Sequence, residues 1–216
     1  MTECCGMRLV LVEGPTVEPL TAAEAKARLN IGEEVSDEVM ESYITAARQR
    51  IDGADGWLGR AINTQTWQGR ADAFPARDGG RIYIPLPPLQ TVTISYLDPV
   101  GDPVTLAEGT DYQVVQAQRP YIVPLSAWPA ATGIDGVAIE FVVGYGDAGS
   151  DVPEPIRTAV ALGAGHLCSM SARNLSISEE VVEGVGSTRY VVSDNAGKLI
   201  EDTAQNLLST YRLMYV

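Results

Sequence analysis

The sequence predicts an α+β protein: a helical bundle formed by the N- and C-terminal helices, with an antiparallel β-sandwich or small barrel inserted between them. Three observations lead there. Apolar residues recur at helical spacing before residue 64 and again after residue 151. The block between consists of short β-branched runs separated by Pro, Gly and Asp turns. The junction, from Val137 to Met170, runs from a strand through Gly144-Tyr145-Gly146 and Pro153-Glu154-Pro155 into a long apolar helix. Proline suits a first helical turn because its φ is already near the helical value and its missing N–H has no partner there.

Residues 1–19 read as an extended lead-in and 20–63 as the first helical part. Thr21 with Glu24 forms a capping box, so a short helix is expected over 22–29, with Gly32 as its stop signal. Ser36 caps the next helix, and Asp37 and Glu38 suit the positive end of its dipole. Val39, Met40, Tyr43, Ile44, Ala47, Ile51, Ala54 and Leu58 extend that helix to about residue 58. Its other face, with Glu41, Arg48, Arg50 and Asp52, reads as solvated. Residues 64–150 form the inserted β domain, with strands at 66–71, 81–84, 91–97, 104–106, 112–115, 121–123 and 137–143. Residues 151–216 form the second helical part. Ile156, Ala159, Val160, Gly163, Leu167 and Met170 share one face of its first helix, and small residues there allow another helix to come close. The polar stretch 174–195 reads as a mobile loop or hairpin, and 198–211 as a final helix. Neither helical part is large enough to bury its stripe alone, so the two are expected to pack together.

The chain of 216 residues carries 28 acids against 15 Lys and Arg, a net charge of −13. A general nucleic-acid binder needs a basic surface to neutralise phosphates, so that class is disfavoured. Residues 1–41 alone hold nine acids against three bases. Either these acids cap helices and keep the chain soluble, or they line a passage for a polyanion. No apolar run is long enough to span a membrane, and no basic leader precedes the short apolar run at 7–12, so a cytoplasmic protein is expected. The three cysteines have no metal or disulfide spacing; Cys168 reads as a small core residue.

A search for chemistry finds no catalytic constellation. The lone histidine, His166, lies in the apolar helix, where a hydrogen-bonded structural residue is the expected role. Cys168 lies two positions on, which on a helix points elsewhere, so the two do not make a base and nucleophile. Gly144-Tyr145-Gly146 lacks the lysine of a phosphate loop and reads as a turn. Glu179, Glu180 and Glu183 read as a solvated loop, and Trp57, Trp67 and Trp128 as core. No enzyme, cofactor or metal site is expected.

Four stretches carry a family resemblance. They are the capped helix Leu20 to Leu29 followed by the helix through Tyr43-Ile44-Thr45-Ala46-Ala47-Arg48, and Ile84-Pro85-Leu86-Pro87-Pro88-Leu89 leading into Ile94-Ser95-Tyr96. The third runs from Phe141 through Gly144-Tyr145-Gly146 to Val152-Pro153-Glu154-Pro155-Ile156, and the fourth is Leu207 to Arg212. In this order and spacing they resemble the tailed-phage head–tail connector proteins, the head-completion adaptors of the longer type with a β insert, also found in prophages and gene-transfer agents. The resemblance implies a structural virion protein of the neck, made in the host cytoplasm. It implies a ring, typically dodecameric, joined to the portal protein on one side and to the next neck protein, a stopper or tail component, on the other. The genomic DNA would pass through without specific binding. The long stretch 174–195 and His166-Leu167-Cys168 depart from the family pattern.

Under that reading the chain end, with Tyr211, Arg212, Leu213 and Met214, is the candidate portal-docking arm. Glu33, Glu34 and Glu38, at the link between the first two helices, are the candidate lumen-facing or subunit-facing group. The alternative is a ligand-binding β module for carbohydrate or peptide with helical flanks. That reading calls for exposed aromatics clustered on one β surface.

Overall fold

The structure is a computed structural model that describes residues 3–4, 7–76, 78–172, 179–182, 186–189 and 194–213. It divides into two compact units, one built from Met1–Val17, Ile51–Val152 and Leu213–Val216, the other from Glu18–Arg50 and Pro153–Arg212.

The first unit is made of two antiparallel sheets. Strands β1 (Glu3–Cys4), β2 (Met7–Glu13), β3 (Gln65–Ala71), β5 (Leu89–Leu97), β6 (Pro103–Leu106) and β9 (Val137–Val143) form one, in the order β1-β2-β3-β9-β5-β6. Strands β4 (Ile82–Tyr83), β7 (Tyr112–Val115) and β8 (Tyr121–Pro124) form the other, in the order β4-β8-β7. The sheets share one apolar core. β9 shows why: Val137, Ile139, Phe141 and Val143 alternate inward and are all buried. Phe141 lies opposite Trp67 on β3 and Val92 on β5, and Ile139 opposite Gly69 and Ile94. Ile82, Ile122 and Tyr112 complete the core from the second sheet, and the Tyr112 hydroxyl donates to the Val92 carbonyl across it (3.2 Å).

Two sequence readings need correction here. The lead-in is a sheet strand: β2 pairs with β3 from Arg8 opposite Arg70 to Glu13 opposite Thr66. Its run of apolar residues does not alternate with polar ones because it lies near the sheet edge, where Val10, Leu11 and Val12 are all exposed. The second helix, expected to reach residue 58, ends at Gln49. Gly53 takes φ +80, its N–H donates to the Arg60 carbonyl (2.8 Å), and the chain folds back on itself. The apolar spacing of Ile51, Ala54 and Leu58 survives as turn residues of the β unit.

The second unit holds helices α1 (Ala22–Leu29), α2 (Asp37–Gln49), α3 (Glu154–Ala172) and α4 (Asp194–Leu208). The Thr21–Glu24 capping box forms in both directions, and the Ser36 hydroxyl caps α2 by accepting from Val39 N. α1 stops at Asn30 rather than Gly32: asparagine tolerates the left-handed cap conformation, here φ 54. α3 packs against each of the other three helices, so the N-terminal helices and the C-terminal α3 share one packed unit. Close approach depends on small residues. A Cβ placed on Gly163 would lie 3.0 Å from the Ala47 Cβ, and one on Gly165 would lie 2.9 Å from Leu29 Cδ2. The buried stripe of α3 holds Ile156, Ala159, Val160, Ala161, Ala164 and Cys168, whereas Met170 is exposed. α4 runs four residues earlier at its start and three shorter at its end than the 198–211 read from the sequence. Within 174–195, β10 (Glu179–Val182) pairs with β11 (Gly186–Arg189) as a hairpin. The intervening residues 183–185 and those at 174–178 and 190–193 lie outside the described residues.

Arg48 is also corrected. It is buried, not solvated: its Nε donates to Glu18 Oε2 (2.7 Å), and Thr45 Oγ1 donates to the other Glu18 oxygen (2.9 Å). Farther along the unit, Arg157 donates to Glu24 (2.9 Å), to Glu154 (3.0 Å) and to the Pro19 carbonyl (3.0 Å), while Arg28 pairs with Glu154. The Thr21 backbone N–H, and after it Arg157, hold the Glu24 carboxyl below its usual pKa; Arg28, then Arg157, do the same for Glu154. A carboxyl lowered in the folded state stabilises above its unfolded pKa and ceases to do so as pH falls through the folded one. The helical unit should therefore lose stability on acidification below about pH 4.3, the ordinary glutamate value. The pairs are about half exposed, so the loss is small, roughly 0.5 kcal/mol for each carboxylate. Thermal melts followed by circular dichroism at pH 7 and pH 3.5 check it. Arg157→Gln should flatten part of the dependence; an unchanged slope would mean the Arg157 pairs contribute nothing.

Candidate functional site

The acidic link lies between α1 and α2. Lys26, on the last turn of α1, is buried, yet its ammonium donates to Asp37 Oδ1 (2.6 Å) and lies 3.8 Å from Glu33 Oε2. The Asp37 hydrogen bond raises the Lys26 pKa, so the ammonium stays charged. Glu34 folds back to accept from Gly32 N (3.2 Å), and Glu38 is exposed in the first turn of α2. The Glu33 side chain is 99% exposed despite its proximity to Lys26. Of the nine acids in residues 1–41, Glu18, Glu24, Glu33 and Asp37 face a cation within the helical unit. That accounts for much of the acidity of this stretch as internal pairing. Glu34, Glu38 and Glu41 are exposed on the same stretch.

The candidate arm at the chain end starts where α4 stops. The Tyr211 and Arg212 amides both donate to the Leu208 carbonyl (2.9 and 3.1 Å), which closes the helix. The Leu213 amide donates to the Leu58 carbonyl (3.0 Å), tying this residue into the β unit. Tyr211 and Leu213 are half-buried and Arg212 is exposed; Met214 lies outside the described residues.

The β-to-helix seam is clamped within the β unit. Gly144 N donates to the Pro88 carbonyl (2.9 Å), Tyr145 N to Ile62 (2.9 Å), and Thr64 N to Gly146 (3.1 Å). Gln90 Nε2 donates to the Gly144 carbonyl (2.9 Å). Three backbone strands thus meet at this turn, which presents no cradle of N–H groups to a phosphate.

Other sequence candidates separate. Cys168 is buried and His166 is half-buried on the same helix, with the His166 carbonyl accepting from Ser169 Oγ. Trp67 is core and donates to Gln65, while Trp128 stacks on Phe74 with ring centroids 4.7 Å apart. Among the described residues no three His, Cys, Asp or Glu side chains group as metal ligands would, and no helix is long and apolar enough to cross a membrane.

Sequence reasoning missed two features. One is Asp52, which lies on no solvated helix face, contrary to what its spacing suggests: it is buried and accepts from Ile62 N (2.8 Å) and from Gln65 Nε2 (3.0 and 3.2 Å). The other is a basic–aromatic face on the outer side of the three-stranded sheet. Arg81-Ile82-Tyr83-Ile84 and Arg119-Pro120-Tyr121-Ile122 repeat one pattern on strands paired with Tyr83 opposite Tyr121. The isoleucines face the core, so both Arg–Tyr pairs face out. Arg81 stacks on Tyr121 (5.2 Å to the centroid), Arg119 on Tyr83 (4.9 Å), and the two rings lie 5.7 Å apart. The repeated R-x-Y-x spacing was the signal for it.

No family model and no curated protein matches the sequence. Solved structures do match. One chain from a structure described as the virion of a native gene transfer agent particle is 22% identical with a TM-score of 0.68, over 97% of both chains. One from the neck of an empty gene transfer agent particle, computed with C6 symmetry, is 21% identical at 0.67, again over 97% of both. A third, from the neck of a native particle computed with C12 symmetry, is 21% identical at 0.59, over 95% of this chain and 97% of that one. At such identities the likeness is one of fold, and over nearly its whole length this chain has the fold of chains in those particles.

Proposed function

We propose that this chain is a structural neck component of a tailed-phage-like or gene transfer agent particle, a head–tail connector that forms a dodecameric ring under the portal and extends the DNA channel toward the next neck protein. The observation that carries the reading is the near-full-length fold likeness, helices and β unit together, to chains of gene transfer agent particles, two of them from necks. The C6 and C12 symmetries of those necks fit a ring of identical copies. The net charge of −13 fits a wall past which a duplex slides, since each cation placed on a phosphate would add salt-sensitive grip. In this reading Tyr211, Arg212, Leu213 and Met214 form the portal contact, and Glu33, Glu34 and Glu38 face the lumen or a neighbouring copy.

The ligand-binding β module has the paired tyrosines of the three-stranded sheet in its favour. It gives no reason for the helical unit to be covered by the same likeness.

Deleting the gene in a strain that produces the particle tests the proposal. Filled heads without tails should accumulate, and supplying the chain in trans should restore joined particles. Normal tailed particles in its absence would overturn the connector reading.

A further inference from the structure

The basic–aromatic face is an exception in an acidic chain, and the role of neck ring leaves it without a use. The ring itself supplies one. Cyclic assembly of identical copies joins two different patches, one on each side of the subunit, so a chain that forms a ring carries both halves of its own interface. Tyr and Arg are the residue types that concentrate binding energy in such patches. A guanidinium already held over a ring face has less freedom to lose when a carboxylate arrives. The open cleft beside the pair, lined by Gly79, Arg81, Tyr83 and Val123, gives an incoming side chain room to reach Arg81.

The complement is on the same chain. Between residues 29 and 47 there are five acids and no base. Glu33 extends fully into solvent, Glu34 and Glu38 are exposed, and beside them Val39 is an exposed apolar residue (42%) suited to a tyrosine ring. We propose that the Arg81–Tyr121 and Arg119–Tyr83 face of one copy receives the α1–α2 link of the next copy in the ring, with Glu33, Glu34 and Glu38 on the two guanidinium groups and Val39 against the tyrosines. The inference rests on the connector reading, and it specifies which surfaces close the ring. A nucleic-acid backbone would also satisfy two arginines. The complementary acids on the same chain, and the overall charge that opposes a polyanion, favour the second copy.

The test is charge reversal in complemented particles, read as the number of joined, infective or DNA-transferring particles. Arg81→Glu with Arg119→Glu should reduce joining at least ~10-fold, because like charges facing across an interface cost several kcal/mol. Glu33→Lys, Glu34→Lys and Glu38→Lys together should do the same. The chain carrying all five changes should recover to within about 2-fold of wild type, since each copy then meets a neighbour of the opposite sign. Unchanged thermal midpoints of the purified variants check that folding is intact. Joining that survives the arginine reversal, or a five-fold variant no better than either parent, overturns the inference. So does retardation of duplex DNA at low salt by the wild type that the arginine reversal abolishes, which would assign the face to phosphate. If deleting the whole chain leaves joining intact, the connector reading falls first; if deletion abolishes joining and reversal does not, only the interface assignment falls.

Discussion

Gly144→Ala should destabilise the β unit by about 3–5 kcal/mol, enough to leave much of the protein unfolded at 37 °C. Gly144 takes φ +122, where a side chain is strained in any surroundings. Here the surroundings are backbone. An added Cβ would lie 2.3 Å from the Asn63 carbonyl oxygen, 2.5 Å from its carbon and 2.7 Å from Thr64 N. None of these atoms can move aside alone, because Thr64 N is bonded to Gly146, Tyr145 N to Ile62 and Gly144 N to Pro88. Relief of the clash therefore breaks several hydrogen bonds of the seam together. Urea unfolding followed by tryptophan fluorescence measures the loss. A change under about 1 kcal/mol would mean that the turn yields more easily than its bonding implies. Gly144→Ser should behave alike, because any side chain places its Cβ against the same Asn63 and Thr64 backbone atoms.

Asp52→Ala should cost about 3 kcal/mol, the second large effect. The carboxylate organises the return of the chain from the end of α2 into β3. It accepts from Ile62 N and from Gln65 Nε2, and Gln65 in turn accepts from Trp67 Nε1 (2.8 Å). All of these groups are buried, so removing Asp52 leaves the Ile62 N–H without its acceptor in a dry place and leaves Gln65 Nε2 with only its longer bond to the Asn63 carbonyl (3.4 Å). Asp52→Asn keeps one acceptor for Ile62 but presents an NH2 toward the Gln65 NH2, so it should fall between the wild type and the alanine variant. Trp67 emission should shift to longer wavelength in Asp52→Ala as its indole partner loosens. An alanine variant as stable as the wild type would remove Asp52 from any organising role.

Those two positions also mark where the sequence is readable and where it is not. Local signals were legible. Thr21 and Glu24, Ser36, and the alternation of Val137 to Val143 each act within a few residues, and the capping box, the α2 cap and β9 are where those residues put them. Features that depend on distant partners were not. Ile51, Ala54 and Leu58 keep helical spacing, yet the bond from Gly53 to Arg60 and the pull of Ile62 on Asp52 end the helix before them. Arg48 looks like a surface cation until Glu18, thirty residues earlier, is placed beside it. β2 carries no strand signal of its own, because its partner β3 is more than fifty residues away. Of the candidate site residues, Glu33 and Glu34 lie on the link between α1 and α2 and Glu38 in the first turn of α2, all three exposed. Leu213 is bonded to Leu58, so any arm leaves the body later than Tyr211 suggested. The Arg–Tyr face needed the register of β4 against β8, because only pairing turns two separate R-x-Y-x runs into one surface.

The place of β9 in the larger sheet sets a schedule for the chain during its synthesis. β9 lies between β3 and β5 and bonds to both, but it is the last strand of the sheet to leave the ribosome. Until then the sheet exists only as two halves, β1-β2-β3 and β5-β6, whose facing edges carry Trp67 on one side and Ile94 on the other. Between Leu97 and Val143 there are 46 residues, which at cellular rates take roughly 2–9 s to make. For that interval a growing chain displays two unpaired apolar edges, each a template for another nascent copy on the same message. The chain is then most exposed to wrong pairing while it is being translated, before β9 joins the two halves of the sheet.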